Sequence, residues 1–196
     1  MKKYVIIGNG TAAVGCIEGI RAVDKTGEIT VISGENHHVY SRPLISYYLE
    51  GKTDLQKMKY RGDGFYEENG CKVLYGKTAV SIDAESKTVK LDGGEEIQYD
   101  ELCVAAGSRP FVPPFEGLDT VENKFSFMTL DDATSLEKAL TKDSRVLIVG
   151  AGLIGLKCAE GIRDRVKEIT VCEQKFKTVI FKMLLHDRRA VVVKYA

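Results

Sequence analysis

Val5-Ile-Ile-Gly8-Asn9-Gly10-Thr11-Ala12-Ala13 is an apolar β-rich run that ends in a glycine loop, and its pattern returns at Leu147-Ile-Val-Gly150-Ala151-Gly152-Leu-Ile154-Gly155. Each loop lies between a predicted strand and a segment with helical spacing, which is the context that makes G-x-G-x-x-G/A informative. The first glycine permits the tight turn, the second lets the backbone approach a diphosphate, and the third position must be small. The diphosphate would bind the free N–H groups of the helix. The repeat therefore predicts two dinucleotide-binding units.

Each unit also needs an acid after its second strand, to bind a ribose hydroxyl. The second unit supplies Glu173, at the end of Ile169-Thr-Val-Cys-Glu173. The first unit supplies Glu35, after Ile29-Thr-Val-Ile-Ser-Gly. Ser33 occupies the register that Glu173 has in the second copy, so Glu35 comes later than this pattern requires. Glu173 is the stronger of the two assignments.

The sequence between the loops predicts further strands and a domain boundary. Ala79–Asp83, Lys87–Leu91 and Glu95–Asp100 alternate in polarity around turn residues, which predicts a three-stranded antiparallel meander. Val73 and Val104 mark two more apolar strands, and Leu130–Leu140 is predicted to be a helix. Prolines 110, 113 and 114 stiffen one short segment. We therefore place one domain at residues 1–112 and a second at residues 113–196.

Composition excludes several classes of partner. The 28 basic residues balance 28 acidic residues, so the overall charge does not favour nucleic acid or an anionic membrane. No apolar run approaches the ~18 residues of a membrane span. The five cysteines are scattered, without the spacing of a zinc site or a C-x-x-C pair. This usage predicts reduced thiols in the cytoplasm, and it predicts no metal site.

Tyr99-Asp-Glu-Leu-Cys-Val-Ala-Ala106-Gly107-Ser-Arg109-Pro110 resembles the motif that closes the first FAD segment in pyridine nucleotide–disulfide-oxidoreductase-like flavoproteins. The family usually has Ala-Thr-Gly where this chain has Ala105-Ala106-Gly107. The glycine loop, meander, this motif and second glycine loop follow the family's order over residues 1–173. The resemblance implies a Rossmann-like α/β fold, with FAD on the first loop and NADH on the second. It also implies that Val80 lies beside the adenine and Arg109 near the flavin.

Tyr40-Ser-Arg42-Pro43-Leu-Ile-Ser46 is similar to the flavin-facing segment of rubredoxin reductases and of the flavin module of NADH-dependent nitrite reductases. In those relatives a basic residue before proline lies near the isoalloxazine, which matches Arg42. Such a cation would stabilise electron density on the flavin. The alternative is a solvated arginine at the start of a helix. Pro43 to Glu50 is predicted to form a short helix that ends before Gly51.

Departures from the family narrow the chemistry. Some related ferredoxin reductases carry lysine where Tyr47 stands. The disulfide reductases need two cysteines after the first helix, and the single-cysteine NADH oxidases need one near Arg42; both arrangements are missing from this sequence. The resemblance therefore implies direct hydride transfer from NADH to flavin, with electrons passing to an acceptor protein. The alternatives are an NADH oxidase acting on oxygen, a non-catalytic nucleotide-binding remnant, and one piece of a split flavoprotein.

The resemblance is expected to stop after Glu173. Residues 174–196 contain six Lys/Arg and one acid, a net charge of +5 (6 − 1). Relatives continue here with the rest of the nicotinamide domain, so we expect a truncated chain with one β-α-β unit at this end. The alternative is that Phe176–His186 forms a basic amphipathic helix that docks a partner.

Overall fold

A computed structural model describes residues 1–112, 114, 116–173, 184–185, 188–189 and 191–194. The chain divides into two compact units. The first contains Met1–Ser41 and Lys59–Ser108, and the second contains Arg42–Met58 and the described residues from Arg109 onward. The segment that carries Arg42 thus belongs to the second unit.

The first unit is built on a four-stranded parallel sheet. Its strands are β1 (Lys3–Ile7), β2 (Glu28–Ser33), β3 (Cys71–Tyr75) and β7 (Glu101–Val104), in the order β3-β2-β1-β7. Helix α1 (Thr11–Val23) connects β1 to β2. All four apolar runs that were predicted to be strands form this sheet. The mixed α/β fold with a parallel sheet confirms the predicted class.

Helix α1 buries one face against the sheet. Ala13, Val14 and Ile17 are the fully buried residues of that face, at the i, i+1, i+4 spacing of a helix. They pack with Ile6, Ile29, Val31, Val39, Phe65 and Tyr66. The last two belong to α4 (Phe65–Glu68). This cluster fixes the position of the helix start, and hence of the first loop.

The predicted meander is confirmed. Strands β4 (Ala79–Asp83), β5 (Thr88–Leu91) and β6 (Glu96–Gln98) pair antiparallel in that order. Val89 and Leu91 of the central strand form a second buried cluster with Val5 and Ile32 of the parallel sheet. The meander therefore covers the face of the sheet that α1 leaves open.

The second unit contains the second strand-loop-helix-strand repeat. Strand β8 (Arg145–Val149) runs parallel to β9 (Glu168–Glu173), and α6 (Leu153–Ile162) connects them. Helix α5 (Leu130–Ala139) precedes them and begins with a capping box, in which the Thr129 side chain accepts from Asp132 N at 3.0 Å. The short helix predicted at Pro43–Glu50 is a 3₁₀ turn (Arg42–Leu44) followed by α2 (Ile45–Leu49). Helix α3 spans Leu55–Met58, and a second 3₁₀ turn spans Leu118–Thr120.

Helix α2 packs on α6 in this unit. A Cβ added to Gly161 would lie 3.0 Å from Ser46 O and 3.3 Å from Leu49 Cβ, so the two helices are in close contact here and a larger residue would need a shift of α2. Arg165 continues the contact, since its Nε donates to Leu49 O at 2.5 Å. Its Nη1 lies 2.8 Å from Glu137 Oε1 of α5. The segment after Arg42 is therefore anchored to α6 and, through Arg165, to α5.

The expectation of a single β-α-β unit at this end of the chain is wrong. Strand β12 (Val191–Lys194) pairs parallel with β9 and gives a sheet of order β12-β9-β8. Strands β10 (Leu184–Leu185) and β11 (Arg188–Arg189) form a two-stranded antiparallel ladder. The alternative helix over 176–186 is therefore wrong at Leu184 and Leu185. The remainder of that helix, and Pro113 of the predicted domain boundary, lie outside the described residues.

Candidate functional site

The first glycine loop is closed by its own backbone. Gly8 has φ +111°, which side-chain-bearing residues rarely adopt. Its N–H donates to Ile32 O at 2.8 Å, at the end of β2. A Cβ added here would lie 2.1 Å from Ala105 O and 3.0 Å from Ala106 N. The first loop and the motif after β7 are thus in direct contact, and glycine is required at this turn.

The second glycine of the first loop faces open space. Gly10 is the N-cap of α1, and its carbonyl accepts from Val14 N at 3.1 Å. A Cβ added to Gly10 meets no described atom within 4 Å. Thr11 and Ala12 are exposed in the first turn of the helix, whereas Ala13 is buried. The N–H groups of a first helical turn have no partner within the helix. The loop therefore offers room and donors for an anion.

Glu35, the candidate ribose ligand of the first unit, is fixed by its neighbours. Its Oε2 accepts from Tyr40 Oη at 2.6 Å, and its carbonyl accepts from Ser33 Oγ at 2.7 Å. Ser33 follows the residue that pairs with Ile7, just as Glu173 follows the residue that pairs with Val149. The register proposed for the two copies is therefore observed, and Glu35 lies two residues beyond it.

Three other candidates of the first unit occupy turn or strand positions. Gly107 has φ +68°, so the glycine of the Ala105-Ala106-Gly107 motif makes a turn that disfavours other residues. Ala106 and Gly107 are exposed. Val80 lies at the register shift between Ala79 and Ser81 in β4, with 57% of its surface exposed. Such an irregularity redirects a side chain away from its strand neighbours.

The second glycine loop repeats the geometry of the first. Gly150 has φ +110°, and its N–H donates to Cys172 O at 2.8 Å. Gly152 is the N-cap of α6, its carbonyl accepts from Leu156 N at 3.0 Å, and a Cβ added to it meets nothing within 4 Å. Ile154 is 55% exposed in the first turn. This loop also presents an open helix start.

The third position of the second loop is sterically closed. A Cβ on Gly155 would lie 2.0 Å from Gly150 O and 3.3 Å from Ile148 Cγ2. Real Cβ atoms do not approach a carbonyl oxygen so closely, so the helix can pack against the turn only with glycine here. The requirement for a small residue is confirmed at this position. In the first loop Ala13 is tolerated and fully buried.

Glu173 lies where a ribose ligand is expected. It is the last residue of β9, and its Oε2 accepts from Ala151 N at 3.0 Å, within the second loop. The carboxylate is therefore held at the mouth of the loop by a backbone donor. The structure brings together the second loop and the acid that the sequence assigned to it.

Arg42, Pro43 and Arg109 belong to the second unit. Arg42 and Pro43 form the 3₁₀ turn before α2, and Arg42 Nη1 donates to Met128 O at 3.4 Å. Arg109 is exposed. The alternative interpretation of Arg42, an arginine at the start of a helix, describes its local position correctly.

None of the five cysteines forms a disulfide, and two of them are poor nucleophiles. All five cysteines are free. Burial raises the pKa of Cys158 to about 12. Burial and the neighbouring Cys103 thiol raise that of Cys16 to about 11. A thiol is nucleophilic as its thiolate, so these two are poor nucleophiles at neutral pH.

One contact to the first loop was missed by the sequence analysis. Asn9 Oδ1 accepts from Tyr66 Oη at 2.5 Å, across 57 residues of sequence. A separation of this length leaves no local pattern, and Tyr66 lies outside the glycine motif.

No described helix is long and apolar enough to span a membrane.

Comparison with known proteins gives a family match over most of the chain. The pyridine nucleotide-disulphide oxidoreductase family matches residues 2–188. This match continues past Glu173, where the resemblance was expected to stop.

Two curated relatives and one solved structure are similar. Nitrite reductase (NAD(P)H) of Bacillus subtilis is 34% identical over 171 residues, covering 87% of this chain and 21% of that protein. NADH oxidase of Methanocaldococcus jannaschii is 32% identical over 201 residues, covering 98% and 44%. The crystal structure of NADH:rubredoxin oxidoreductase from Clostridium acetobutylicum has a TM-score of 0.70 and 26% identity, covering 86% and 44%. The chain thus spans less than half the length of each. Nitrite reductase and rubredoxin reductase are the relatives that the Arg42 segment indicated.

Proposed function

The chain belongs to the pyridine nucleotide-disulphide oxidoreductase family, and from this membership we propose that it serves as an FAD-dependent reductase that takes hydride from NADH. The observation that carries the proposal is the pair of glycine loops, each at the start of a helix of ten or more residues. One polypeptide with two such loops has a place for an electron carrier and for its donor. We keep the domain assignment made from the sequence, with FAD on residues 1–112 and nicotinamide on residues 113–196, while Arg42–Met58 groups with the second compact unit.

The first loop fits the diphosphate of FAD. Open space at Gly10 and the N-terminus of α1 suit a diphosphate, which needs close approach to backbone N–H groups. We assign Glu35 to the adenosine ribose and Val80 to the adenine. The assigned contacts in the first unit are Gly8, Asn9, Gly10, Thr11, Ala12, Ala13, Glu35, Val80, Ala106 and Gly107. The family resemblance alone assigns Arg42, Pro43 and Arg109 to flavin binding.

The second loop fits NADH. Gly152 offers the same open space, and Glu173 already lies at the mouth of the loop. A carboxylate there accepts hydrogen bonds from the ribose diol and repels a 2′-phosphate. The assigned contacts are Gly150, Gly152, Ile154, Gly155 and Glu173. This arrangement favours NADH over NADPH.

The chemistry is assigned to direct electron transfer through the flavin. When bound, the flavin would accept a hydride and release electrons singly. Arg42 contributes a fixed positive charge that stabilises the reduced state. The free cysteines do not match the positions that a disulfide or single-cysteine mechanism requires. The odd number and scattered spacing of the cysteines support the proposed cytoplasmic location.

An acceptor protein is the proposed electron sink. The similarity to NADH:rubredoxin oxidoreductase supports a rubredoxin-like acceptor. The match to an NADH oxidase over 98% of the chain favours oxygen as the second candidate. Two measurements separate these candidate acceptors. NADH consumption is followed under anaerobic conditions together with reduction of the iron in the acceptor protein, and oxygen uptake is then measured in air.

The proposal is tested by the visible spectrum of the purified chain. We expect a flavin absorbance band after incubation with FAD and gel filtration, and bleaching of that band on anaerobic addition of NADH. A colourless protein would contradict the flavin assignment. A yellow protein that NADH does not bleach would contradict the nicotinamide assignment alone.

A further inference from the structure

The two glycine loops are held by different means. In the second loop the residue between the glycines is Ala151, whose backbone N–H is bound by Glu173 of the same unit. In the first loop that residue is Asn9, whose side chain bonds the Tyr66 hydroxyl and the His37 carbonyl. The first loop is therefore tied to parts of the chain outside its own β-α-β motif.

Tyr66 is a rigid donor to Asn9. Only 7% of its surface is exposed, its ring packs 5.3 Å from Phe65 in an edge arrangement, and the His38 ring lies 4.9 Å away. Burial raises the pKa of Tyr66 to about 12, so the hydroxyl remains protonated at neutral pH. Its Oη lies 2.5 Å from Asn9 Oδ1. The hydroxyl therefore offers a fixed proton to the loop.

The other end of the Asn9 amide is also used. Nδ2 donates to His37 O at 3.3 Å. Since Oδ1 faces a hydroxyl donor and Nδ2 faces a carbonyl, reversal of the amide would oppose two oxygens at His37. The amide thus has one favourable orientation. Asn9 is flanked by two glycines, which restrict the backbone least of all residues. The two hydrogen bonds of the Asn9 side chain therefore limit the conformations of the loop, which its flanking glycines leave flexible.

We propose that Tyr66 is a positioning residue for dinucleotide binding, acting through Asn9 to hold the first glycine loop in the conformation that receives a diphosphate. The proposal rests on the proposed function, because it assumes that this loop binds FAD. Groups that bind a ligand perform best when a supporting shell fixes them within about 0.5 Å. Tyr66 and the His37 carbonyl form such a shell around Asn9.

The experiment measures FAD affinity and the phosphorus NMR spectrum of bound FAD in four proteins. These are the wild type, Tyr66→Phe, Asn9→Ala and the double variant. Tyr66→Phe keeps the ring and removes the bond to Asn9, and should weaken FAD binding by about tenfold, the usual value for one hydrogen bond to a fixed polar group. The diphosphate resonances should shift while the visible flavin band keeps its shape. The double variant should bind no more weakly than Asn9→Ala.

Tyr99→Phe is the matched control, because Tyr99 packs in the other buried cluster of the same unit. It should leave the affinity and both phosphorus resonances unchanged. A purely structural role for Tyr66 would lower the melting temperature but leave the phosphorus spectrum of bound FAD unmoved. Wild-type affinity in Tyr66→Phe, unmoved resonances, or additive losses in the double variant would each overturn the inference. A wild-type chain that binds no FAD would overturn the proposed function and the inference with it.

Discussion

Replacing Gly8 by alanine should destabilise the first unit far more than the same change at Gly10. At Gly8 the new Cβ meets Ala105 O at 2.1 Å and Ala105 C at 2.6 Å, and the backbone has φ +111°. An unfavourable backbone conformation costs about 1–3 kcal/mol. Forcing an extra carbon into a packed site costs about 1–3 kcal/mol more. The obstacle is the backbone of Ala105, which directly follows β7, the strand paired with β1. It cannot rotate away as a side chain could. We expect a loss near 4 kcal/mol, about the midpoint of the summed range.

Gly10→Ala provides the comparison. Its φ of −105° and ψ of −167° suit any residue, and the added Cβ meets nothing within 4 Å. Alanine is a poorer N-cap than glycine, at a cost below about 1 kcal/mol. The loss at this position should instead appear in FAD affinity, because the Cβ occupies the space assigned to the diphosphate.

Urea denaturation of the apoproteins, followed by far-UV circular dichroism, measures the free energy of unfolding by linear extrapolation. FAD titration of the same samples measures affinity. The two variants should separate, with Gly8→Ala losing stability and Gly10→Ala losing FAD binding. Gly8→Ala within about 0.5 kcal/mol of the wild type, the usual range for neutral surface changes, would refute the steric reasoning. Equal effects of both variants on both measurements would refute the division of roles.

The remaining predictions concern charge. Glu173→Ala should lower the ratio of kcat/KM for NADH over NADPH, because it removes both the ribose acceptor and the repulsion of a 2′-phosphate; an unchanged ratio would exclude Glu173 from cofactor choice. Arg42→Ala should lower the flavin midpoint potential, whereas the surface control Arg61→Ala, which breaks an ion pair with Glu18, should not; equal potentials in all three proteins would leave Arg42 without a flavin role. The N–H groups of Thr26 and then Gly27 lower the pKa of Asp24 from 3.8 to about 2. Asp24 therefore stabilises the fold above pH 3.8, and the contribution is lost as the pH falls through 2. Asp24→Asn should flatten the dependence of the unfolding free energy on pH in that window, and an unchanged slope in acid titration would contradict this assignment.

Local patterns predicted most of the first unit. The strand-loop-helix repeats and the meander are encoded by hydrophobic periodicity and by glycines in sequence order, so both were found. The equivalence of Ser33 and Glu173 in the two repeats was also predicted, because strand pairing places both residues. These features depend on neighbours within a few residues or on a regular ladder.

Features that depend on distant contacts were missed. Tyr66 is 57 residues from Asn9, and no motif connects them. The grouping of Arg42–Met58 with the second unit is set by packing of α2 on α6, through Gly161 and Arg165. Strand β12 had a local signal, since Val191-Val-Val-Lys194 is rich in β-branched residues. The net charge of residues 174–196 does not determine their secondary structure, and the expectation of a single β-α-β unit is wrong.

The closed third position of the second loop has a consequence for exchanging parts between the two repeats. The Gly150 carbonyl excludes even a methyl group at Gly155, whereas the first helix carries alanine at the equivalent place. A cassette that includes both the turn and the helix start carries this contact with it, because Gly150 and Gly155 belong to the same loop. A crossover between the two positions would instead combine the Gly150 turn with alanine at the third position, and the helix could not keep its place against the turn. Recombination between the two repeats should therefore succeed only when the turn and the third position are exchanged together.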